Sequence, residues 1–320
     1  MEEKTMTQKM TRILIAIALM VTCSGLAVAQ EKTTNQLHIG LIYPLSTNGK
    51  AAPSDTNDLS IHLISGISKQ ENACLIAGIS GIVTANVYGT MVSGVSNHVG
   101  GDASGVLVAG LLNHVKGKAR GLQIAGVINK SSDAHTQVAG LINIAKRVEG
   151  VQVAGFINIA QQSDYPVGLI NIIRDGELAL GLSVDEAGGL ALALRSGGRV
   201  LYGIIGLGYQ TRHQEARYLL EGGLGAHLVT TKAFRLSAEL ASAAMTSFED
   251  GVYGKQSLRI LGGWRITPSI ELIGGPTFNH LLFDADQTDI RDGRYLWQSQ
   301  SPDVFNGLYF GGMLGLQFLL

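Results

Sequence analysis

The sequence predicts an all-β protein whose leading arrangement is an outer-membrane-type antiparallel β-barrel of roughly 14–18 strands. Three observations carry that expectation. The 320 residues include 42 Gly but only 6 Pro, charged residues make up 15%, and mean hydropathy is +0.22. Apolar segments of strand length alternate with short polar turns along most of the chain. The last segment, GLYFGGMLGLQFLL, is itself strand-like and runs to the final residue. High hydrophobicity with little charge excludes a disordered chain. The absence of a G-X-Y period excludes collagen. A net charge of −1 offers nothing to a nucleic-acid partner.

Residues 1–29 read as an export signal. Lys4, Lys9 and Arg12 precede the apolar run 13–21, and Ala27-Val28-Ala29 supplies the small-x-small cleavage pattern. The mature chain would start at Gln30 and retain a single cysteine, Cys74, so no internal disulfide could form. An N-terminal anchor helix and a lipoprotein using Cys23 are the competing readings of this region. A segment of ordinary composition, 30–59, follows.

Residues 60–175 repeat with a spacing of about 15 residues. The clearest copies are GVLVAGLLN (105–113), GLQIAGVIN (121–129), TQVAGLIN (136–143), GVQVAGFIN (150–158) and YPVGLIN (165–171). Weaker copies lie at 61–68, 73–80 and 89–97. The aligned glycines are Gly66, Gly78, Gly94, Gly110, Gly126, Gly140, Gly155 and Gly168. Aligned asparagines follow at Asn97, Asn113, Asn129, Asn143, Asn158 and Asn171. Each unit reads as a strand with a period of two. In the copy at 150–160, Val151, Val153, Gly155, Ile157 and Ile159 share one face. Gln152, Ala154, Phe156 and Asn158 share the other. In a barrel the apolar face would meet lipid and the amides would face the lumen. The alternative is a parallel β-solenoid, one unit per coil with its asparagines stacked, beside an eight-stranded barrel. Either way the rows of Gln123, Gln137 and Gln152 and of the asparagines are read first as structural side-chain hydrogen bonds.

Beyond the repeats, 176–320 reads as a barrel-like region. Strands are predicted at 177–184, 188–195, 199–210, 216–229, 233–246, 256–266, 269–283 and 307–319, with a long surface loop at 284–306. A terminal strand with Phe318 near its end suits recognition by the outer-membrane assembly machinery, although the final residue is Leu320.

The G-x-Q-x-A-G-x-I-N units of 105–173 resemble the bacterial cell-surface repeat family of spirochaetes and Bacteroidetes. Pro166 in place of Gln, and Ser68 and Ser80 near the Asn position, depart from its pattern. The resemblance implies placement in the cell envelope and carries no activity onto any residue.

Catalytic and cofactor motifs are not found. Gly203, Gly206 and Gly208 lack a strand–loop–helix context, and neither G-x-S-x-G nor H-E-x-x-H occurs. His98 and His114 occupy equivalent repeat positions and are read as turn residues rather than metal ligands. Asp284, Asp286 and Asp289 are the weak cation candidates, interleaved with Arg291 and Arg294. The expected function is therefore non-enzymatic, without cofactor: an outer-membrane or cell-surface protein, structural or pore-like, with membrane lipid and the assembly machinery as partners. The alternative is a surface-displayed solenoid that binds a host or envelope partner.

Overall fold

The computed structural model describes residues 35–249, 251–291 and 293–320. The expected export signal lies outside them. Contacts divide the chain into two compact units, one running up to Glu149 and the other Gly150–Leu320.

The first unit is a parallel β-solenoid. Its coils begin with β1 (Asn35–Ile42), already inside the segment 30–59, followed by a short hairpin strand β2 (Leu45–Ser46) and a 3-10 turn at Gly49–Ser54. Long strands then alternate with short ones. These are β3 (Thr56–His62), β4 (Ser65–Ser68), β5 (Gln70–Ala77), β6 (Ser80–Val83), β7 (Val87–Ser93) and β8 (Ser96–Val99). The series continues with β9 (Ala103–Ala109), β10 (Leu112–Val115), β11 (Lys118–Ala125), β12 (Ile128–Lys130), β13 (Asp133–Ala139) and β14 (Ile142–Ile144). The long strands form one sheet in the order β13-β11-β9-β7-β5-β3-β1-β2, and the short ones another, β14-β12-β10-β8-β6-β4. Pairing between equivalent strands of successive coils is parallel, as in Ala125↔Ala109 and Asn129↔Asn113.

This geometry corrects two expectations. The repeats do not add antiparallel staves to a barrel of 14–18 strands, because equivalent residues of successive units pair in parallel register. Nor is each unit one continuous strand. It bends at the Gly-apolar pair, so that Ala109 ends one strand, Gly110 and Leu111 turn the corner, and Leu112 starts the next. Close approach of the backbones explains the glycine there. A Cβ on Gly126 would lie 2.1 Å from the Gly110 carbonyl oxygen, and one on Gly110 would lie 2.0 Å from that of Gly94. The same register moves one sequence assignment. Gly66 pairs with Gly81 in the asparagine column, while the Leu63 carbonyl sits under Gly78.

The amides face inward. Gln123, Gln137, Asn97, Asn113, Asn129 and Asn143 are all buried. Asn97 Nδ2 donates to Asn113 Oδ1 (2.8 Å), Asn113 to Asn129 (2.9 Å) and Asn129 to Asn143 (3.0 Å). Each Nδ2 also reaches a carbonyl of the following coil: Val108, Ile124 and Val138 at 2.7–2.8 Å. Gln137 Nε2 donates to Gln123 Oε1 at 2.9 Å. Packed beside these amides are small residues such as Ala109, Ala125 and Ala139, so the narrow space between the sheets is filled without long aliphatic chains. In the earlier coils the glutamine column becomes Leu75, Met91 and Leu107, which form an apolar core with Val83, Val99 and Val115.

The second unit opens with β15 (Arg147–Ala154, entered from the first), β16 (Ile157–Ala160), β17 (Gln162–Val167) and β18 (Ile170–Ile173), which continue the coil pattern. Asn158 Nδ2 donates to Asn171 Oδ1 at 2.8 Å. An antiparallel barrel follows: β19 (Glu177–Asp185), β20 (Gly189–Gly197), β21 (Leu201–Gln210), β22 (Tyr218–Thr230), β23 (Phe234–Thr246), β24 (Val252–Thr267), β25 (Ile270–Asp284), a short β26 (Trp297–Gln300) and β27 (Val304–Leu319). Antiparallel pairing of β19 with β27 closes the sheet on eight strands, with β26 an extra ribbon on β27. A β-solenoid region plus an eight-stranded barrel is thus the combination adopted. All eight predicted barrel strands are present, and β26 is the one element within the expected loop that the sequence reading did not contain.

Replacing Asn129 by Leu is expected to strand Val138 O, Gln123 O and the neighbouring amides, costing about 3 kcal/mol at roughly 1–3 kcal/mol per orphaned buried group. Lys130→Ala on the exposed side should be near neutral. Chemical denaturation of both variants measures the difference.

Candidate functional site

The barrel turns its polar side chains inward. On β23, Arg235, Ser237 and Glu239 share the inner face, while Leu240 beside them is 65% exposed. Lys255, Ser257 and Arg259 do the same on β24. Alternation along every strand assigns the two faces. Outside stand Leu178, Leu180, Leu182, Leu192, Leu207, Leu220, Leu258, Ile260, Phe278, Phe310, Leu316 and Phe318, all exposed. This is the reverse of a water-soluble barrel, where the core is aliphatic.

Inside, ion pairs tie strands across the lumen. Arg195 Nε donates to Glu239 Oε1 at 2.7 Å, and Tyr202 Oη donates to the same oxygen at 3.0 Å. Arg259 forms a two-pronged pair with Glu221, one contact being 3.0 Å, and lies 3.6 Å from Glu239 Oε2. Lower in the barrel Arg235 pairs with Glu177 and, at 3.2 Å, with Glu271. His227 Nε2 accepts from Arg235 and its Nδ1 donates to Ser237 Oγ, and the ring stacks on Tyr202 with centroids 4.5 Å apart. A small cavity remains among Arg195, Tyr202, His227, Arg235, Glu239 and Glu271. An eight-stranded barrel is just wide enough for side chains to fill, and here ion pairs share the interior with buried apolar side chains such as Ile204, Leu261, Ile273 and Met313.

The two ends differ. One rim has short connections at 198–200, 231–233 and 268–269. The other carries 211–217, 247–251 and the long stretch 285–303. The long stretch folds back on the barrel. Ile290 is buried with Tyr253, Phe283, Phe305 and Tyr309, Thr288 O accepts from Tyr253 Oη at 2.9 Å, and the Arg291 guanidinium lies 3.9 Å from the Tyr309 ring centroid. Nearby Lys255 Nζ contacts Asp185 (2.8 Å) and Glu186 (3.3 Å). At the short-turn rim the last coil abuts the outer wall. Asn171 Nδ2 donates to Ser196 O at 3.1 Å and its backbone N to Ser196 Oγ at 3.0 Å, which continues the amide ladder onto β20. Gly203 leaves room for this contact, since a Cβ there would meet the Gly168 carbonyl at 2.2 Å.

The weak cation candidates do not assemble. Asp289 accepts from Arg291 N (3.0 Å) and Tyr295 Oη (2.7 Å), and among the described residues no group of three or more His, Cys, Asp or Glu is placed to hold a metal. His98 and His114 do lie on adjacent coils, in register, with ring centroids 6.2 Å apart and both facing outward. Burial and the neighbouring His114 lower the pKa of His98. Cys74 is half-buried in register with Leu59 and Thr90, and burial pushes its thiol up. The repeat-defining residues Gly110, Asn113, Gly126, Asn129, Gly140, Asn143, Gly155, Asn158, Gly168 and Asn171 form corners and ladder rungs. Sequence reasoning did not find the barrel's ionic network. Its signal was present: lone charges four residues apart on one face of a strand, as in Arg235/Glu239 and Lys255/Arg259.

A second buried polar cluster closes the first coils. Glu71 Oε1 accepts from Ser60 Oγ (2.7 Å) and Asn57 Nδ2 (3.2 Å), Asn57 contacts His38 (3.4 Å), and His38 contacts Ser46 (3.0 Å). The His62 ring lies 4.4 Å from that of His38 and occupies the space over Gly66. Burial pushes the Glu71 carboxyl up to about 7, and burial with the His38 neighbour pushes His62 down to about 4. His38 is lowered too, by burial.

Comparison with protein-family models, with curated proteins and with solved structures finds no match for this chain.

Two predictions follow from these clusters. Between pH 4.5 and 7 folded Glu71 keeps a proton that the unfolded chain releases, so its contribution falls as pH rises. Between pH 4 and 6.5 the unfolded chain binds a proton that folded His62 refuses, so that contribution grows with pH. Glu71→Gln removes the falling slope. Its coils should gain stability from pH 4.5 to 6.5 more steeply than the wild type, as read by hydrogen exchange of β1 and β3. In the barrel, Glu239→Gln uncouples two buried arginines and should destabilise by about 3 kcal/mol or more, whereas Asp164→Ala at the exposed Arg199 pair should leave stability unchanged. Denaturant titration of the barrel reads the difference.

Proposed function

We propose that this chain is a non-enzymatic protein of the bacterial outer membrane, in which the barrel is a lipid-embedded anchor for the repeat coils. The inverted polarity of the barrel is the observation that carries this reading. A wall of exposed leucines around buried Arg–Glu pairs suits hydrocarbon outside and no water inside. A closed antiparallel sheet satisfies its own backbone groups, as lipid demands. Among the described residues no helix is long and apolar enough to cross a membrane, which leaves strands unaffected. The filled lumen favours a structural anchor over an open pore.

Short turns of such barrels face the periplasm and long loops face outward. On that basis 285–303 is at the cell surface, and the rim that receives the coil 162–173 is periplasmic. The repeat coils then act as a scaffold for an envelope partner. A host ligand bound by a surface-displayed solenoid is the second reading, favoured by the regular outward columns of side chains.

The test combines fractionation with labelling. The protein should sediment with the outer membrane and run faster on a gel before heating than after. In intact cells an impermeant maleimide should modify Gln300→Cys, while Lys232→Cys in the short-turn rim should react only after permeabilisation. A soluble protein with no heat-dependent mobility contradicts the reading.

A further inference from the structure

The most regular apolar residues of the repeats are not in the core. In the copies at 108–113, 124–129, 138–143 and 153–158 the motif ϕ-A-G-ϕ-ϕ-N buries its Ala and Asn and turns the apolar positions out. The residue after the corner glycine is exposed in coil after coil: Ile79, Val95, Leu111 and Leu141 in the first unit, with Leu111 and Leu141 each 50% exposed. In the later coils apolar residues flank it on both sheets, as Val108 and Leu112 flank Leu111, and Val138 and Ile142 flank Leu141, while Ser80 and Ser96 hold the short-strand side beside Ile79 and Val95. The result is an aliphatic ridge along that corner of the coils. The turn at the opposite end of the coil is charged, with exposed Lys69, Lys116, Lys118, Lys146, Arg147 and Glu149. Soluble proteins rarely leave a contiguous apolar patch of this kind uncovered.

The same corner recurs in the coils of the second unit. There the corner position is held by Phe156 and Leu169, both exposed. The Leu169 side chain packs 3.7 Å from where a Cβ would sit on Gly222. Gly222 belongs to the outward face of β22, between the exposed Leu220 and Leu224. Within the second unit the corner residue Leu169 therefore lies against the apolar outer wall of the barrel.

We infer that the Gly-ϕ corner of the repeat coils is a lipid-contacting surface that dips into the membrane leaflet. The inference rests on the reading of the barrel as membrane-embedded. Lipid is the occupant rather than a second protein for two reasons. The ridge repeats aliphatic residues without the anchoring Tyr, Trp or Arg that interface cores favour. Its apolar side is matched by a Lys/Arg-bearing opposite side, the distribution of an element lying in the plane of a membrane interface. The amide core supports the same role, because polar groups are hydrogen-bonded within the coils and the surface that meets lipid needs no polar partner.

The test uses nitroxide labels on the full chain with both native cysteines replaced by alanine (Cys23→Ala and Cys74→Ala), reconstituted in phosphatidylcholine/phosphatidylglycerol vesicles. Labels go at Leu111→Cys and Leu141→Cys on the ridge, Lys116→Cys on the charged turn and Leu240→Cys on the barrel wall. Collision with oxygen and with an aqueous nickel chelate is measured at each. The expected result is a ridge that matches Leu240, rich in oxygen and shielded from nickel, and a Lys116 site open to nickel. Ridge labels open to nickel while Leu240 reads as lipid would overturn the inference and leave the barrel reading intact. Ridge labels shielded from both reagents would also overturn it, by indicating a protein cover. Leu240 open to nickel would overturn the membrane reading itself, and the inference with it.

Discussion

The whole chain is organised by one constraint: buried polar side chains have to be satisfied inside, while aliphatic side chains take the outer wall of the barrel and the Gly-ϕ corner of the coils. In the coils the satisfied groups are amides, each asparagine bridging the next coil's asparagine and a carbonyl beyond it. In the barrel they are ions, with Glu239 shared between Arg195, Tyr202 and Arg259. Unpaired, such groups would be costly in a low-dielectric interior, and removal of one partner exposes that cost in full.

The ladder also explains how the coils can end. A parallel solenoid leaves its last row of donors and acceptors open. Here Asn171 meets Ser196, and the row stops against β20 instead of against solvent. Small residues make the flat seat: Ser196 and Gly203 pair across β20 and β21 under the coil. At the other end His62 fills the place over Gly66 that asparagine occupies in later coils, and Glu71, Asn57 and His38 complete the polar closure.

Much of this was legible in the sequence. The barrel strands were placed to within four residues at each end; the segment 233–246 is Phe234–Thr246, and 269–283 is Ile270–Asp284, while 256–266 is Val252–Thr267. Turn residues and a period of two suffice for that. The direction of pairing between repeats was not legible, because alternation assigns faces and says nothing of the partner strand. The bend at Gly-ϕ was hidden for a related reason: across Gly155-Phe156 the apolar/amide alternation continues on paper while the chain changes sheets. Gly66 was aligned with the wrong column because its coil carries Leu63 where later coils carry glycine. The ionic network was missed because its members are far apart in sequence, Arg195 and Glu239 being brought together only by closure of the sheet.

The inverted barrel is tested most directly by where its two tryptophans emit. The chain has only Trp264, exposed on the outer wall, and Trp297, in the short ribbon β26 beyond the wall. In vesicles, a Trp297→Phe variant should emit at short wavelength and be quenched by brominated phospholipid, with aqueous iodide having little effect. Emission from Trp264 at long wavelength, quenched by iodide and insensitive to brominated lipid, would contradict the account.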